Sequence, residues 1–269
     1  MRNCLNTLML GVVACILLAP VQRAGQAPAV GKPIPRTADG KPNLSGFWAN
    51  AGPNWGFNSP RPKDAPPGPF DYHHAGQLAP MELTPWAKER LLYNLDPLAR
   101  EVGDPPEGRI RGRTELDPRM RCVPAGAFRL GLPQMIVQVS GKIFFFFDTD
   151  HERRQIFMDG RGHPKPEDLE FTWNGHSVGR WDGDTLVVDT VGMRDEPWLD
   201  SGGRIHTTDL GMVERIRFID SDTLEWETTL TDPKVFVKPF VERRTLKSRS
   251  NYDFTENIVC EEHYRKEPF

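Results

Sequence analysis

The chain contains little cysteine, no excess of charge of one sign and, after its N-terminus, no long hydrophobic run. It has 269 residues, four of them cysteines, and a formal net charge of -3 at pH 7. A nucleic-acid-binding surface normally shows a clustered basic excess, whereas the basic residues here are scattered. We therefore expect no nucleic-acid partner. Because no downstream stretch is long and apolar enough to span a bilayer, we also expect no transmembrane segment in the mature chain.

Several motifs that carry chemistry are missing as well. The chain has no Gly-x-Gly-x-x-Gly, P-loop or Gly-x-Ser-x-Gly pattern, which removes support for nucleotide binding and for common serine hydrolase chemistry. Its 7 histidines show no close ligand spacing such as His-Glu-x-x-His. Residues of types that zinc accepts are spread along the chain, namely His163, His176, His206, Asp189 and Glu214. We expect neither a metal nor a cofactor.

The N-terminus has the features of an export signal. Arg2 provides a positive start, the following stretch up to Val21 is largely apolar, and small residues then match a cleavage region. We expect residues 1–27 to be a signal peptide that is removed on export to the periplasm or the medium. Lipid attachment at Cys15 is a less favoured alternative, because the apolar run continues past this cysteine.

Removal of that signal leaves two cysteines, Cys122 and Cys260. In an oxidising compartment, an even pair predicts one disulfide bond. Such a bond would close a long loop and would constrain the unfolded chain by about 4 to 5 kcal/mol in the entropy model. Two free buried thiols are the alternative.

Proline, glycine, asparagine and arginine dominate residues 28–82, and such a stretch holds few ladders or helices. We expect an extended arm that lies across the folded body and is anchored by apolar residues such as Trp48. In residues 83–133, Thr84 as N-cap and Pro85 at the first helical position predict one short helix, followed by an irregular connection.

From residue 134 onward the pattern changes to period two. Residues 134–269 predict about nine short strands joined by short turns. Strands of this kind indicate a mainly β fold, an antiparallel meander forming a lipocalin-like barrel or a curved sheet. The likeness to lipocalins rests on strand pattern alone and is a fold analogy.

Asp182-Gly183 between two extended runs predicts a β-hairpin with a two-residue turn. This register sets His176 opposite Asp189. An aspartate beside a histidine fixes the tautomer and stabilises the imidazolium, as in acid/base dyads. The alternative is a solvated cross-strand pair worth about 0.2–1 kcal/mol, and the pattern leaves open which face of the hairpin points inward.

In the following hairpin, the register that aligns the apolar faces sets Glu214 opposite Thr228 and among inward apolar side chains. A buried carboxylate either finds a partner or keeps its proton. Glu214 is therefore a candidate general acid or base, or else one half of a structural ion pair. Candidate partners for that ion pair are Arg161, Arg180 and Arg204.

Two further groups are candidate substrate-binding residues. Arg161 and His163 lie in a glycine-rich bend and would suit an anionic or hydroxylated ligand, although a local turn stabilised by Asp159 explains them equally well. Aromatic side chains that would form ligand walls, or would simply fill the barrel, are Trp173, Trp181 and Trp226.

Three motifs, Arg36–Trp48, Asp159–Pro164 and Gly179–Thr190, resemble those of a family of exported bacterial proteins to which no activity is assigned. The resemblance spans nearly the whole mature chain. It implies export and a single domain, and it adds no catalytic residue.

Taken together, these features favour an exported, cofactor-independent enzyme that performs acid/base chemistry, hydrolysis or elimination, on a hydroxylated or aromatic small molecule in a β-barrel pocket. His176, Asp189 and Glu214 would transfer protons, and Arg161 and His163 would orient the substrate. One alternative is a non-catalytic, lipocalin-like binding protein for a hydrophobic or aryl ligand. Another is an envelope-associated protein whose proline-rich arm binds a partner.

Overall fold

The structure is a computed structural model that describes residues 33–51, 81–95, 117–200 and 203–255. Within these ranges β-strands predominate, and they close into a single barrel beside one α-helix. This confirms the predicted mainly β fold with one short helix.

The elements have the following bounds in chain order. The strands are β1 (Gly46–Asn50), β2 (Met135–Val139), β3 (Lys142–Phe146), β4 (Arg153–Phe157), β5 (His176–Asp182), β6 (Thr185–Val191), β7 (Gly211–Asp220), β8 (Thr223–Thr231) and β9 (Phe240–Arg249). The helix α1 spans Pro85–Leu95, and short 3-10 turns cover Pro118–Arg121, Thr149–His151 and Pro166–Asp168.

Each strand pairs with the next one along the chain, and β1 closes the barrel by pairing with both β2 and β9. The pairs are antiparallel except for β4 and β5, which run parallel and share two residue pairs, Ile156 with Ser177 and Phe157 with Val178. A parallel pair needs a crossover connection, which residues 158–175 supply. The sheet is therefore mixed, with one parallel pair among antiparallel ones. At this pair, only two residues of each strand hold the barrel wall together.

Strand β1 lies in the stretch for which the sequence predicts an extended arm. Phe47 pairs with Met135 of β2 and with Arg249 of β9, so this segment completes the barrel. Trp48 is buried inside, with its ring centroid 5.9 Å from that of Phe218. The rest of the predicted arm falls largely on residues outside the described ranges.

Helix α1 begins as predicted. The hydroxyl of Thr84 accepts a hydrogen bond of 3.2 Å from the backbone N–H of Ala87, which is N-cap geometry. Leu83 and Ala87 are buried in an apolar cluster with residues of β7 and β8. Within the described ranges, the structure contains no helix with the length and apolar character needed to cross a lipid bilayer.

The interior of the barrel contains polar side chains between two apolar clusters. Along β7 the buried residues Met212, Glu214 and Ile216 alternate with exposed or half-buried ones, and Met212 and Ile216 belong to different clusters. The same order of apolar, polar and apolar residues recurs along β8 and β9. We call these inward polar residues the polar belt: Arg154, Ser177, Thr190, Glu214, Thr228, Glu242 and Arg244.

Candidate functional site

The hairpin of β5 and β6 forms as predicted, but its register differs by two residues. The two turn residues are Gly183 and Asp184, between the paired Asp182 and Thr185. The Arg36 side chain donates to both carboxylate oxygens of Asp184, at 3.0 and 2.7 Å. This long-range bond favours Asp184 as a turn residue and was not visible in the local sequence pattern.

The predicted direct pairing of His176 with Asp189 is therefore wrong. His176 lies opposite Val191, and Asp189 lies opposite Val178. A shift by an even number of residues keeps every side chain on its face. His176 and Asp189 consequently remain diagonal neighbours on the same face of the hairpin.

Burial shows which face of this hairpin points inward. Ser177, Val188 and Thr190 are buried inside the barrel, whereas their chain neighbours His176 and Asp189 lie on the outer face and are half-buried. The outer face is thus the one that carries the two candidate proton-transfer residues.

His163 lies between these two residues. Its Nδ1 is 3.0 Å from Nδ1 of His176, and its Nε2 is 3.7 Å from a carboxylate oxygen of Asp189. The two histidine rings meet edge to face, with centroids 5.2 Å apart. We call His176, His163 and Asp189 the histidine cluster. The structure thus brings together three of the residues predicted from the sequence.

The geometry of the histidine cluster favours one arrangement of protons. Nε2 of His163 is buried without a hydrogen-bond partner, and Asp189 is the carboxylate nearest to it, which favours a proton on that nitrogen. Nδ1 of His163 then accepts the hydrogen bond that Nδ1 of His176 donates. This leaves Nε2 of His176 unprotonated, and that atom makes no hydrogen bond with the described part of the chain.

The surroundings of His176 favour the neutral form of its ring. Phe157 stacks on it with centroids 5.2 Å apart and an interplanar angle of 25°, and the guanidinium of Arg161 lies 4.0 Å above the Phe157 ring. Burial first, and then the nearby His163 and Arg161, lower the pKa of His176 below its ordinary value of 6.5. A neutral imidazole with a free nitrogen has the form that a general base requires.

Arg161 itself is held locally. Its guanidinium binds the carboxylate of Asp159 at 2.5 Å, and its backbone N–H donates to the same side chain at 3.3 Å. These contacts match the local-turn alternative from the sequence. They also fix Arg161 over Phe157, so the bend contributes to the packing around His176.

Beside the histidine cluster, the barrel wall contains a groove of about 360 Å³. It lies where β4 and β5 separate from each other beyond their two residue pairs. Its volume falls in the lower part of the range of small-molecule sites, about 300–1,000 Å³. We call it the β4–β5 groove. Its lining comes from β4, residues 164–175 and the start of β5, and includes Arg153, Arg154, Phe157, Pro164, Leu169, Asn174 and His176.

Glu214 lies on the other side of the barrel wall. As predicted, it points inward and pairs with Thr228. Arg154 donates to its two carboxylate oxygens at 3.0 and 2.7 Å, and the indole N–H of Trp226 donates to it at 3.2 Å. Glu214 is therefore half of a buried ion pair, and its partner is Arg154 rather than any of the three arginines expected from the sequence.

The predicted tryptophans occupy three different places. Trp226 lies in the barrel core, 5.0 Å from the ring of Phe145, and Trp181 packs against the same apolar cluster. Trp173 lies under the guanidinium of Arg194 at 4.5 Å. None of the three tryptophans lines the β4–β5 groove, where the aromatic residue is Phe157.

The predicted disulfide bond and the question of a metal site concern residues beyond the groove and the histidine cluster. Cys260 falls outside the described residues, so its disulfide with Cys122 stays a prediction. In the part of the chain that the structure describes, no three His, Cys, Asp or Glu side chains are grouped to hold a metal ion.

Comparison of the chain with protein-family models, with curated proteins and with solved structures finds no match. The chemistry of the groove and of the histidine cluster is therefore the basis for assigning a function.

Proposed function

We propose that this protein is an exported enzyme that performs acid/base chemistry, hydrolysis or elimination, on a small molecule bound in the β4–β5 groove. His176 is the general base. The proposal rests on Nε2 of His176, which makes no hydrogen bond within the described ranges. This atom belongs to a ring whose pKa is lowered and which lines a groove of small-molecule size. A base of this kind typically contributes about 10²- to 10⁴-fold to a rate.

In this mechanism, Nε2 of His176 takes a proton from the substrate or from a water molecule that attacks it. Positive charge then develops on the ring, and the 3.0 Å contact with Nδ1 of His163 keeps the existing N–H on Nδ1, so that Nε2 is the atom that takes the proton. Asp189 favours the tautomer of His163 that accepts this hydrogen bond. His163 and Asp189 are positioning residues, because they act through His176.

The proposed binding site is on the barrel wall rather than in its interior. Side chains of the two apolar clusters and of the polar belt point into the described interior. Glu214, which the sequence suggested as a proton-transfer group, is bound by Arg154 and Trp226. In the proposal its role is to hold Arg154 at the base of the groove.

A non-catalytic binding protein is the second candidate function. The apolar side chains of Phe157, Pro164 and Leu169 in the groove lining support it. A protein of this kind would capture a hydrophobic or aryl ligand stoichiometrically and would release no product.

The test is turnover of a panel of 4-nitrophenyl esters and 4-nitrophenyl glycosides by the protein without its predicted signal. His176→Gln should lose at least about 10²-fold in kcat/KM. His151→Gln is the matched control, because His151 lies in a 3-10 turn outside the groove lining. The wild-type rate should rise with pH and reach half of its plateau below pH 6.5, since the pKa of His176 is lowered. Turnover that survives His176→Gln, or no turnover of any panel member, would overturn the proposal.

A further inference from the structure

The start of strand β4 has a neighbouring strand on one side only. β4 pairs with β3 along its whole length, but it pairs with β5 only at Ile156 and Phe157. Its first residues, Arg153 to Gln155, come before this parallel pair begins. We call these residues the open edge of β4.

The hydrogen bonds to β3 show which backbone groups of the open edge face away from it. At one end of β4, the carbonyl of Glu152 accepts from the residue that follows β3, and at the other end the N–H of Met158 donates to the residue that precedes β3, both at 2.9 Å. In an antiparallel pair, residues that bond to the neighbouring strand alternate with residues whose N–H and C=O point to the other side. The even-numbered residues of β4 therefore bond to β3, and Arg153 and Gln155 direct their backbone groups toward the side of β5.

On that side, three backbone groups of the open edge make no hydrogen bond with the described part of the chain. They are the N–H and the C=O of Arg153 and the N–H of Gln155. Both residues line the β4–β5 groove, and Arg153 is exposed. Unpaired N–H and C=O groups along a strand edge are a template for the backbone of another strand.

Residues 172–175 form the opposite wall of the groove and do not pair with the open edge. The backbone of Thr172 bonds instead to Gly192 and Arg194, which follow β6, at 3.0 Å each. Asn174 reaches the start of β4 only through its side chain, which donates to Glu152 at 3.0 Å. The groove between the walls has a volume of about 360 Å³, and the open edge extends for about 10 Å at a rise of about 3.3 Å per residue. A peptide of two or three extended residues has this length.

We propose, building on the proposed function, that the ligand of the β4–β5 groove is a short peptide in an extended conformation, bound by backbone hydrogen bonds to the open edge. A peptide backbone carries both the donors and the acceptors that the three unpaired groups require. Strand addition to an exposed sheet edge is a recurring mode of peptide recognition, in which main-chain bonds give affinity and neighbouring pockets give specificity. Phe157 and Leu169 supply apolar surface for the side chains of the peptide, and His176 lines the same groove.

The test is an NMR titration of the isotope-labelled protein with N-acetyl-trialanine amide. The lining carries charges of both signs, at Arg153, Asp168 and Glu170, and a blocked, neutral peptide separates backbone recognition from these charges. The peptide should shift the backbone N–H signals of Arg153 and Gln155 saturably. The same peptide methylated on its backbone nitrogens should bind at least about 5-fold more weakly, because it has no N–H for the carbonyl of Arg153.

The variant Gln155→Pro tests the open edge directly. Proline removes the N–H that faces the groove and leaves the bonds to β3 in place, and proline is tolerated at strand edges of this kind. Peptide binding should weaken by about 5-fold, the usual effect of one lost hydrogen bond. Gln155→Ala is the matched control, because it removes the side chain and keeps the N–H, so it should bind the peptide like the wild type.

The wild-type titrations decide the inference even if Gln155→Pro does not fold. Equal binding of the methylated peptide, tighter binding of benzoate than of the peptide, or the absence of saturable shifts at the open edge would overturn it. So would unchanged peptide binding by a folded Gln155→Pro. Peptide binding at the open edge without turnover of any substrate would support the ligand class and contradict the acid/base enzyme. Turnover of an aryl ester that depends on His176, without any peptide binding, would do the reverse.

Discussion

The barrel wall carries two groups of ionisable side chains on opposite faces, and they are built differently. On the inner face, Arg154 and Glu214 meet through two hydrogen bonds, and their side chains are 1% and 4% exposed. On the outer face, His163 and Asp189 are 3.7 Å apart, with side chains 21% and 41% exposed. The inner pair is buried and in direct contact, and the outer one is more widely separated and partly exposed.

This difference separates the roles that the two groups can fill. A buried ion pair cannot change its protonation state without leaving the other charge uncompensated, so it is suited to architecture. In the histidine cluster, Nε2 of His176 makes no hydrogen bond with the described part of the chain, so it can take up or release a proton without breaking an ion pair. The two faces meet on β5, where His176 points outward and its neighbour Ser177 points inward, 3.4 Å from a terminal nitrogen of Arg154.

Breaking the inner pair should produce the largest effect. Glu214→Gln leaves the buried guanidinium of Arg154 without its counter-charge, which costs about 3–5 kcal/mol of unfolding free energy. Urea unfolding followed by tryptophan fluorescence measures this loss. Glu225→Gln is the control on the outer face, since its partner Arg217 is 54% exposed and such pairs contribute about 0–1 kcal/mol. Equal losses in the two variants would contradict the contrast between the faces.

Replacing the whole inner pair should cost less than breaking it. The double variant Arg154→Met with Glu214→Leu removes both charges, and apolar replacement of a buried pair is often neutral or stabilising. Some loss remains because Thr190 and Trp226 lose a partner. We expect less than half of the loss caused by Glu214→Gln, measured in a double-mutant cycle. A double variant as unstable as Glu214→Gln would show that desolvation of the charges is not the main cause of the lost unfolding free energy.

Much of the fold was predictable because it depends on local patterns. Period-two alternation and turn residues predicted the barrel, and the apolar neighbours of Glu214 along β7 predicted that it points inward. Strand β1 was missed, since proline-rich sequence surrounds its five residues. Its pairing with β2 and β9 joins segments that are distant along the chain.

The site was predictable only in part. The hydrophobic pattern does not change when a hairpin slips by two residues, so it identified the face shared by His176 and Asp189 but not their partners. Arg154 alternates with the buried Ile156, which was a signal for an inward position, but an inward charge is plausible only once Glu214 is known to face it. The hydrogen bond from Asn174, a residue of the groove lining, to Glu152 joins segments 22 residues apart, and no local pattern contains it.

The smallest expected effect concerns the outer group. The nearby His163 is the second cause, after burial, of the lowered pKa of His176. His163→Gln should therefore raise that pKa toward 6.5 without fully restoring it, as an NMR titration of the His176 ring would show, with His151→Gln as the unchanged control. A histidine whose pKa is lowered by folding takes up its proton first in the unfolded chain, so stability falls as the pH drops below 6.5 through the folded-state pKa. This fall should be shallower in His163→Gln than in the wild type. A lower His176 pKa in the variant would mean that His163 stabilises the charged ring, and the outer group would then resemble the inner pair.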